Sequence, residues 1–192
     1  MLPELSKKFP KIREKIMKPF LINVNPNVIT IIALLMAFAA GYFLWQKDVI
    51  FAGILILLNG FFDILDGEIA KQFKRETKIG DFLDHVLDRV ADVAILLPLV
   101  LTPFVPAYLV YAAIIMVLLV SYLGTEAQAL TSHRLYSAWL GRGDRLLILA
   151  AACFLQIWFT QALYWAVLII LALSVASFFQ RFYVISKVLT RK

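Results

Sequence analysis

Two pairs of aspartates are the side chains of this sequence best placed to do chemistry. Asp63 and Asp66 stand three residues apart and Asp84 and Asp88 four apart, so on helices each pair occupies one face. The stretches that carry them, 61–71 and 80–89, are otherwise rich in Phe, Ile, Leu and Val, and ionisable groups in such surroundings are costly enough to point to function. A short polar connection separates the stretches, so they read as an antiparallel helical hairpin that brings both pairs to one level. Four converging carboxylates repel one another or take up protons unless a cation compensates them. An all-oxygen ligand set selects a hard divalent ion, Mg2+ or Mn2+, over Zn2+, because neither Cys153 nor a histidine falls on the shared stripe. His85 is adjacent in sequence but about a quarter turn away. Asp81 and Asp92 lie near the same face, as outer partners of the metal ligands or as hydrogen-bonded structural acids.

Gly67 and Ala70 fall on the stripe of Asp63 and Asp66, and Gly80 falls on the stripe of Asp84 and Asp88. Small residues there leave space for a flat ligand beside the metal, or for close approach of a neighbouring helix.

The elements that must hold these residues are helices in a bilayer. The chain has 192 residues, 62% of them hydrophobic, with a mean hydropathy of +0.84, well above what a water-soluble core requires. Stretches long enough to cross the hydrocarbon core, which takes about 20 apolar residues, lie near 28–46, 49–73, 80–101, 107–130, 146–160 and 162–189. The expectation is an all-α polytopic membrane protein with six transmembrane helices. Basic residues mark its sides: the N-terminal segment and the second and fourth connections are rich in Lys and Arg, as is the C-terminal tail, whereas the opposite side has only Lys47. Both termini and the aspartates are therefore expected on the cytoplasmic side. Residues 5–21 place Phe9, Ile12, Ile16, Met17 and Phe20 at near-helical spacing among lysines, the pattern of an interfacial amphipathic helix. The division is then a basic juxtamembrane segment, 1–24, and a six-helix domain, 25–192; the lysine-rich and proline-broken start is not read as a signal peptide. The formal net charge of +6 flanks apolar spans instead of covering a soluble surface, which favours anionic headgroups and anionic substrates over nucleic acid.

The acidic stretches resemble the signature of the CDP-alcohol phosphotransferases (CDP-alcohol phosphatidyltransferase class I) of phospholipid synthesis, D-x-x-D-G-x-x-A-R, eight residues, then G-x-x-x-D-x-x-x-D. Here the signature is spelled by Asp63, Asp66, Gly67, Ala70, Lys71, Gly80, Asp84 and Asp88, departing from it only at Lys71, which replaces a planar guanidinium by a point charge. The resemblance implies that Asp63, Asp66, Asp84 and Asp88 hold Mg2+ or Mn2+ as a two-ion site, with Asp88 also the general base. It implies that Gly67, Ala70, Lys71 and Gly80 line the site of a cytidine nucleotide. The implied reaction passes a phospho-lipid group from a CDP-linked lipid donor to a small polar alcohol with release of CMP, in a homodimer.

For the acceptor, the fourth connection and its continuation carry Arg134, Arg142 and Arg145, and Arg181 lies well inside the sixth span. Cations beside such a site suit an alcohol phosphate such as glycerol phosphate or inositol phosphate, although the inside-positive bias alone also accounts for the first three. Relatives that use inositol phosphate carry basic residues soon after a Ser-Tyr pair in the fourth span; Ser121-Tyr122 is followed here by Leu123-Gly124-Thr125-Glu126. A rival function, an ion or proton transporter, calls for acids distributed across the bilayer, whereas these acids gather at one edge.

Overall fold

Asn25 and Pro26 start the first helix: the Asn25 side chain accepts a hydrogen bond from the Asn27 backbone N–H at 3.0 Å, and Pro26, which has no N–H to leave unpaired, enters the first turn. In the computed structural model, which describes residues 18–131 and 140–190, this helix, α1, spans Pro26–Trp45. A tight reversal with Lys47 at a φ of 64° leads into α2, Val49–Gln72. The polar connection at 73–77 ends on Thr77, whose hydroxyl accepts from the Gly80 N–H at 3.0 Å and opens α3, Lys78–Leu96. Pro98 cannot donate to the turn before it, and the chain tightens there into a 3-10 segment, Leu97–Leu101. Helix α4 spans Ala107–Thr131, α5 spans Arg142–Leu155 and α6 spans Ala162–Leu189. The described residues form no strand.

These six helices coincide closely with the six apolar stretches, with one shift. The fifth begins at Arg142 and stops at Leu155, because Asp144 accepts the Gly141 N–H at 3.0 Å and caps the start, while buried Gln156 ties the following turn by bonding Thr160 O at 2.6 Å and the Leu163 N–H at 2.9 Å. Helices α1, α2, α4 and α6 are long and apolar enough to cross a membrane. Helix α5 has only 14 residues, and α3 carries its acids through three of its turns. The expected amphipathic helix at 5–21 lies outside the described residues except for a 3-10 turn at Lys18–Phe20.

The expected hairpin takes an unexpected form. Helices α2 and α3 do not pack along each other's length; both pack on α1, while α5 lies against α2 and α4 against α6. Small residues explain why α1 can serve two neighbours: Ala33, Ala37 and Ala40 are buried, and a Cβ on Gly41 would collide with the Ala94 carbonyl of α3. Leu44, Ile56, Ile95, Leu99, Val117, Leu163 and Ile170 fill the shared core, whereas Leu35, Phe38, Ile54 and Leu119 face outward, as expected of a surface that meets lipid. The cleft left between α2 and α3 is where the carboxylates stand.

Candidate functional site

Asp63 enters the cleft from α2, and Asp84 and Asp88 enter from successive turns of α3. One oxygen from each lies within 4.8 Å of the others. A hard cation takes ligands at about 2–2.5 Å, so oxygens separated by up to roughly twice that can share one ion. The donor chemistry also fits, since all three ligands are carboxylate oxygens, the donors a hard cation prefers. Asp63, Asp84, Asp88 and buried Asp92 face the guanidiniums of Arg142 and Arg145, with Arg89 more distant at 3.7 Å from Asp88.

Arg142 is the centre of this network. Its Nη1 lies 2.5 Å from Asp63 Oδ1 and 2.9 Å from Asp88 Oδ1, its Nε lies 3.4 Å from Asp92 Oδ1, and its Nη2 donates to Asn59 Oδ1 at 3.2 Å. Asn59 is fully buried and donates in turn to the Ala33 carbonyl at 2.8 Å, which anchors the network to α1. Arg145 donates to Asp92 Oδ2 at 2.6 Å, so Asp92 is held by two arginines from α5.

Asp66 stands apart from the three-carboxylate group. It is buried and accepts a hydrogen bond from the Thr30 hydroxyl of α1 at 2.7 Å. It lines a cavity of about 230 Å3 together with Gly67, Ala70, Lys71, Gly80, Asp84 and Arg75. A Cβ placed on Gly67 meets nothing within 4 Å, so this stretch of α2 borders open space and not another helix. Lys71 is 62% exposed and lies 3.8 Å from Glu68, a surface pairing. Arg75 donates to the Val24 carbonyl at 3.0 Å, closing the rim toward the start of α1.

A second cavity, of about 420 Å3, lies on the other side of the carboxylates and is lined by Asp63, Asp84, Asp88, Asp92, Arg142, Arg145 and Arg181 among others. Asp84 thus belongs to both walls. Arg181 reaches from α6 across α4 and donates to the Val120 carbonyl at 2.6 Å; a Cβ at Gly124 would stand 2.6 Å from the same nitrogen, so the absent side chain makes room for the guanidinium. His85 borders this cavity 3.8 Å from Asp81. Arg134 lies outside the described residues.

The fold therefore brings Asp63, Asp84, Asp88, Arg142, Arg145 and Arg181 around one cavity, and Asp66, Gly67, Ala70, Lys71 and Gly80 around its neighbour, with Asp84 on both. Thr30, Asn59 and Gly124 were not singled out from sequence. Asn59 carried a signal, a polar residue in an apolar run one helical turn before Asp63; the other two acquire their significance only from tertiary contacts.

A sequence profile described as CDP-alcohol phosphatidyltransferase matches residues 23–172. The chain is 32% identical over 183 residues, 93% of its length and 95% of the relative's, to the archaetidylinositol phosphate synthase of Pyrococcus horikoshii. It is 29% identical to the protein of that name in Methanothermobacter thermautotrophicus, covering 83% of this chain and 82% of the other. Among solved structures it is similar to phosphatidylinositol phosphate synthase of Mycobacterium tuberculosis with CDP-DAG bound, at a TM-score of 0.78 and 20% identity over 91% of this chain and 94% of that one, a likeness of fold.

Proposed function

The chain belongs to the CDP-alcohol phosphatidyltransferase family, and from that premise we propose that it transfers a phospho-lipid group from a CDP-linked lipid to the hydroxyl of a polyol phosphate, inositol phosphate or glycerol phosphate, with release of CMP. It is a CDP-alcohol phosphotransferase of phospholipid synthesis and uses divalent metal. The observation that carries the finer proposal is the carboxylate group standing between two unlike cavities, one bordered by small residues and the other by arginines.

In this proposal Asp63, Asp84 and Asp88 hold one Mg2+ or Mn2+, and Asp66 with Asp84 holds a second; the place of Asp84 on both cavity walls supports two ions. When bound, the ions neutralise the donor diphosphate. Gly67, Ala70 and Gly80 leave room for the cytidine nucleotide, and Lys71 faces the diphosphate as a point charge. Asp88 takes the proton of the acceptor hydroxyl. That oxygen forms a bond to the lipid-linked phosphorus, the bond from this phosphorus to the bridging oxygen breaks, and CMP departs with the bridging oxygen. Arg142, Arg145 and Arg181, with Arg134 from the same connection, bind the acceptor phosphate. The position of Arg181 over Gly124 supports this assignment, because it puts a cation from α6 where the fourth helix offers none after Ser121-Tyr122. The names of the relatives in P. horikoshii and M. thermautotrophicus favour inositol phosphate within the pair.

The proposal includes six membrane crossings with both termini and the active site cytoplasmic, residues 1–24 along the interface, the catalytic domain at 25–192, and a homodimer. The apolar outward faces and the side bias of the basic residues support the crossings and their direction. Collection of the acids in the one cleft between α2 and α3 favours transfer chemistry over ion or proton transport.

The test is incubation of the purified protein with Mn2+, CDP-linked lipids bearing acyl or isoprenoid chains, and a panel of alcohols and alcohol phosphates, following CMP. Release with polyol phosphates and not with the corresponding free alcohols is expected. Equal release with free alcohols would overturn the acceptor class, and no release with any pair would overturn the reaction.

A further inference from the structure

The Arg142 guanidinium sits on two of the carboxylates that a divalent ion would need. Its Nη1 is 2.5 Å from Asp63 and 2.9 Å from Asp88, two of the three carboxylates whose oxygens converge. A guanidinium and a hard cation compete for such carboxylates, because each neutralises charge that would hold the other and the two cations repel at close range. Yet the guanidinium has a second set of partners outside the cluster. Nη2 donates to buried Asn59 at 3.2 Å and Nε lies 3.4 Å from Asp92, itself fixed by Arg145 at 2.6 Å. Arg142 can release Asp63 and Asp88 without becoming a buried unpaired charge, which is the state that makes loss of an ion pair expensive.

The same side chain also lines the larger cavity, with Arg145 and Arg181. An anionic phosphate entering there meets a guanidinium whose other option is the metal-binding carboxylates.

We propose that Arg142 couples the two ligands of this site: it opposes divalent-metal binding by occupying Asp63 and Asp88, and an acceptor phosphate that draws it away strengthens metal binding. The coupling rests on the metal and acceptor roles proposed above. It is reciprocal by linkage, so metal raises phosphate affinity by the factor through which phosphate raises metal affinity. A metal-free site keeps part of its negative charge compensated by its own arginine, on Asp63 and Asp88, and the fully charged metal site assembles together with the acceptor.

The experiment is Mn2+ titration of the purified full chain, followed by electron paramagnetic resonance of free Mn2+, with and without saturating glycerol phosphate, for wild type, Arg142→Gln and Arg142→Lys. Thermal unfolding of each protein without metal is measured in parallel. Glycerol phosphate is expected to tighten Mn2+ binding to wild type by roughly 5–150-fold, a usual range for coupling between sites. Arg142→Gln is expected to bind Mn2+ more tightly than wild type by a similar factor, to lose the glycerol phosphate effect, and to unfold at lower temperature without metal. Arg142→Lys keeps a cation in place but cannot span the same partners with one ammonium, so its Mn2+ affinity falls between the two; this variant carries the test if the glutamine protein does not fold. Equal or weaker Mn2+ binding by a folded Arg142→Gln, or a glycerol phosphate effect that survives in it, overturns the coupling alone. Failure of every protein to bind Mn2+ overturns the metal assignment and the coupling with it.

Discussion

Replacing Gly67 by alanine separates the needs of the fold from those of the ligand. Gly67 lies in the interior of α2, where glycine is less favourable than alanine by about 0.5–1 kcal/mol. The added Cβ meets no protein atom within 4 Å, so nothing in the chain resists it. The variant is expected to be more stable than wild type by about 0.5–1 kcal/mol. The methyl projects, however, into the 230 Å3 cavity beside Asp66 and Asp84 assigned to the nucleotide. Forcing one methyl into a well-filled contact costs about 1–3 kcal/mol, which corresponds to roughly 5–150-fold weaker donor binding. The assays are thermal unfolding and the donor dependence of CMP release at saturating acceptor. A variant that melts at or above the wild-type temperature and has lost donor affinity bears out the cavity assignment. One that melts similarly and turns over with unchanged donor dependence refutes it, because no ligand then presses on this face of α2.

Asp88→Asn is expected to remain folded and to lose CMP release by a factor of about 10²–10⁴ or more, the usual contribution of a positioned base; ordinary turnover by this variant defeats the base assignment. Thr30→Val removes the hydroxyl that donates to buried Asp66 at 2.7 Å, and denaturant unfolding should register a loss of about 1–3 kcal/mol; unchanged stability would mean the contact contributes nothing. Gly124→Ala puts a Cβ 2.6 Å from Arg181 Nη1 and displaces the flexible end of that side chain, so acceptor affinity is expected to fall roughly 10-fold or more while donor affinity and unfolding temperature hold. Acceptor titrations of CMP release check this, and a normal acceptor dependence removes Arg181 from the acceptor site. Thorough chelation should abolish CMP release and readdition of Mn2+ restore it; activity that survives chelation argues against any metal role.

Much of the scaffold was legible in the amino-acid sequence because it follows from local rules. Apolar runs of sufficient length mark the helices within a few residues, whereas the Thr77 cap that starts α3 at Lys78 is seen only in the structure. The spacing of the four aspartates predicts that all of them converge, and the structure gathers Asp63, Asp84 and Asp88 but leaves Asp66 on Thr30. What stayed hidden depends on which helix lies against which. Periodicity does not show that α1, with its buried alanines and Gly41, packs on both α2 and α3 and leaves a cleft between them. Nor does it show that Asp66 turns to Thr30 while Asp63 meets an arginine that enters from α5. The arginines near the start of α5 were visible as cations, but inside-positive bias and ligand binding place such residues alike; only the contacts of Arg142 with Asn59, Asp63, Asp88 and Asp92 distinguish it from a surface charge. The start of α5 at Arg142 likewise depends on the Asp144 cap, which hydropathy does not register.

The most direct measurement is the anomalous scattering of Mn2+ in crystals of the protein grown with that ion. A peak within about 2–2.5 Å of carboxylate oxygens from Asp63, Asp84 and Asp88 together is the expected result. Saturating Mn2+ that leaves these three side chains without a peak among them, while the crystals are otherwise ordered there, would contradict the placement of the metal on which the proposed chemistry depends.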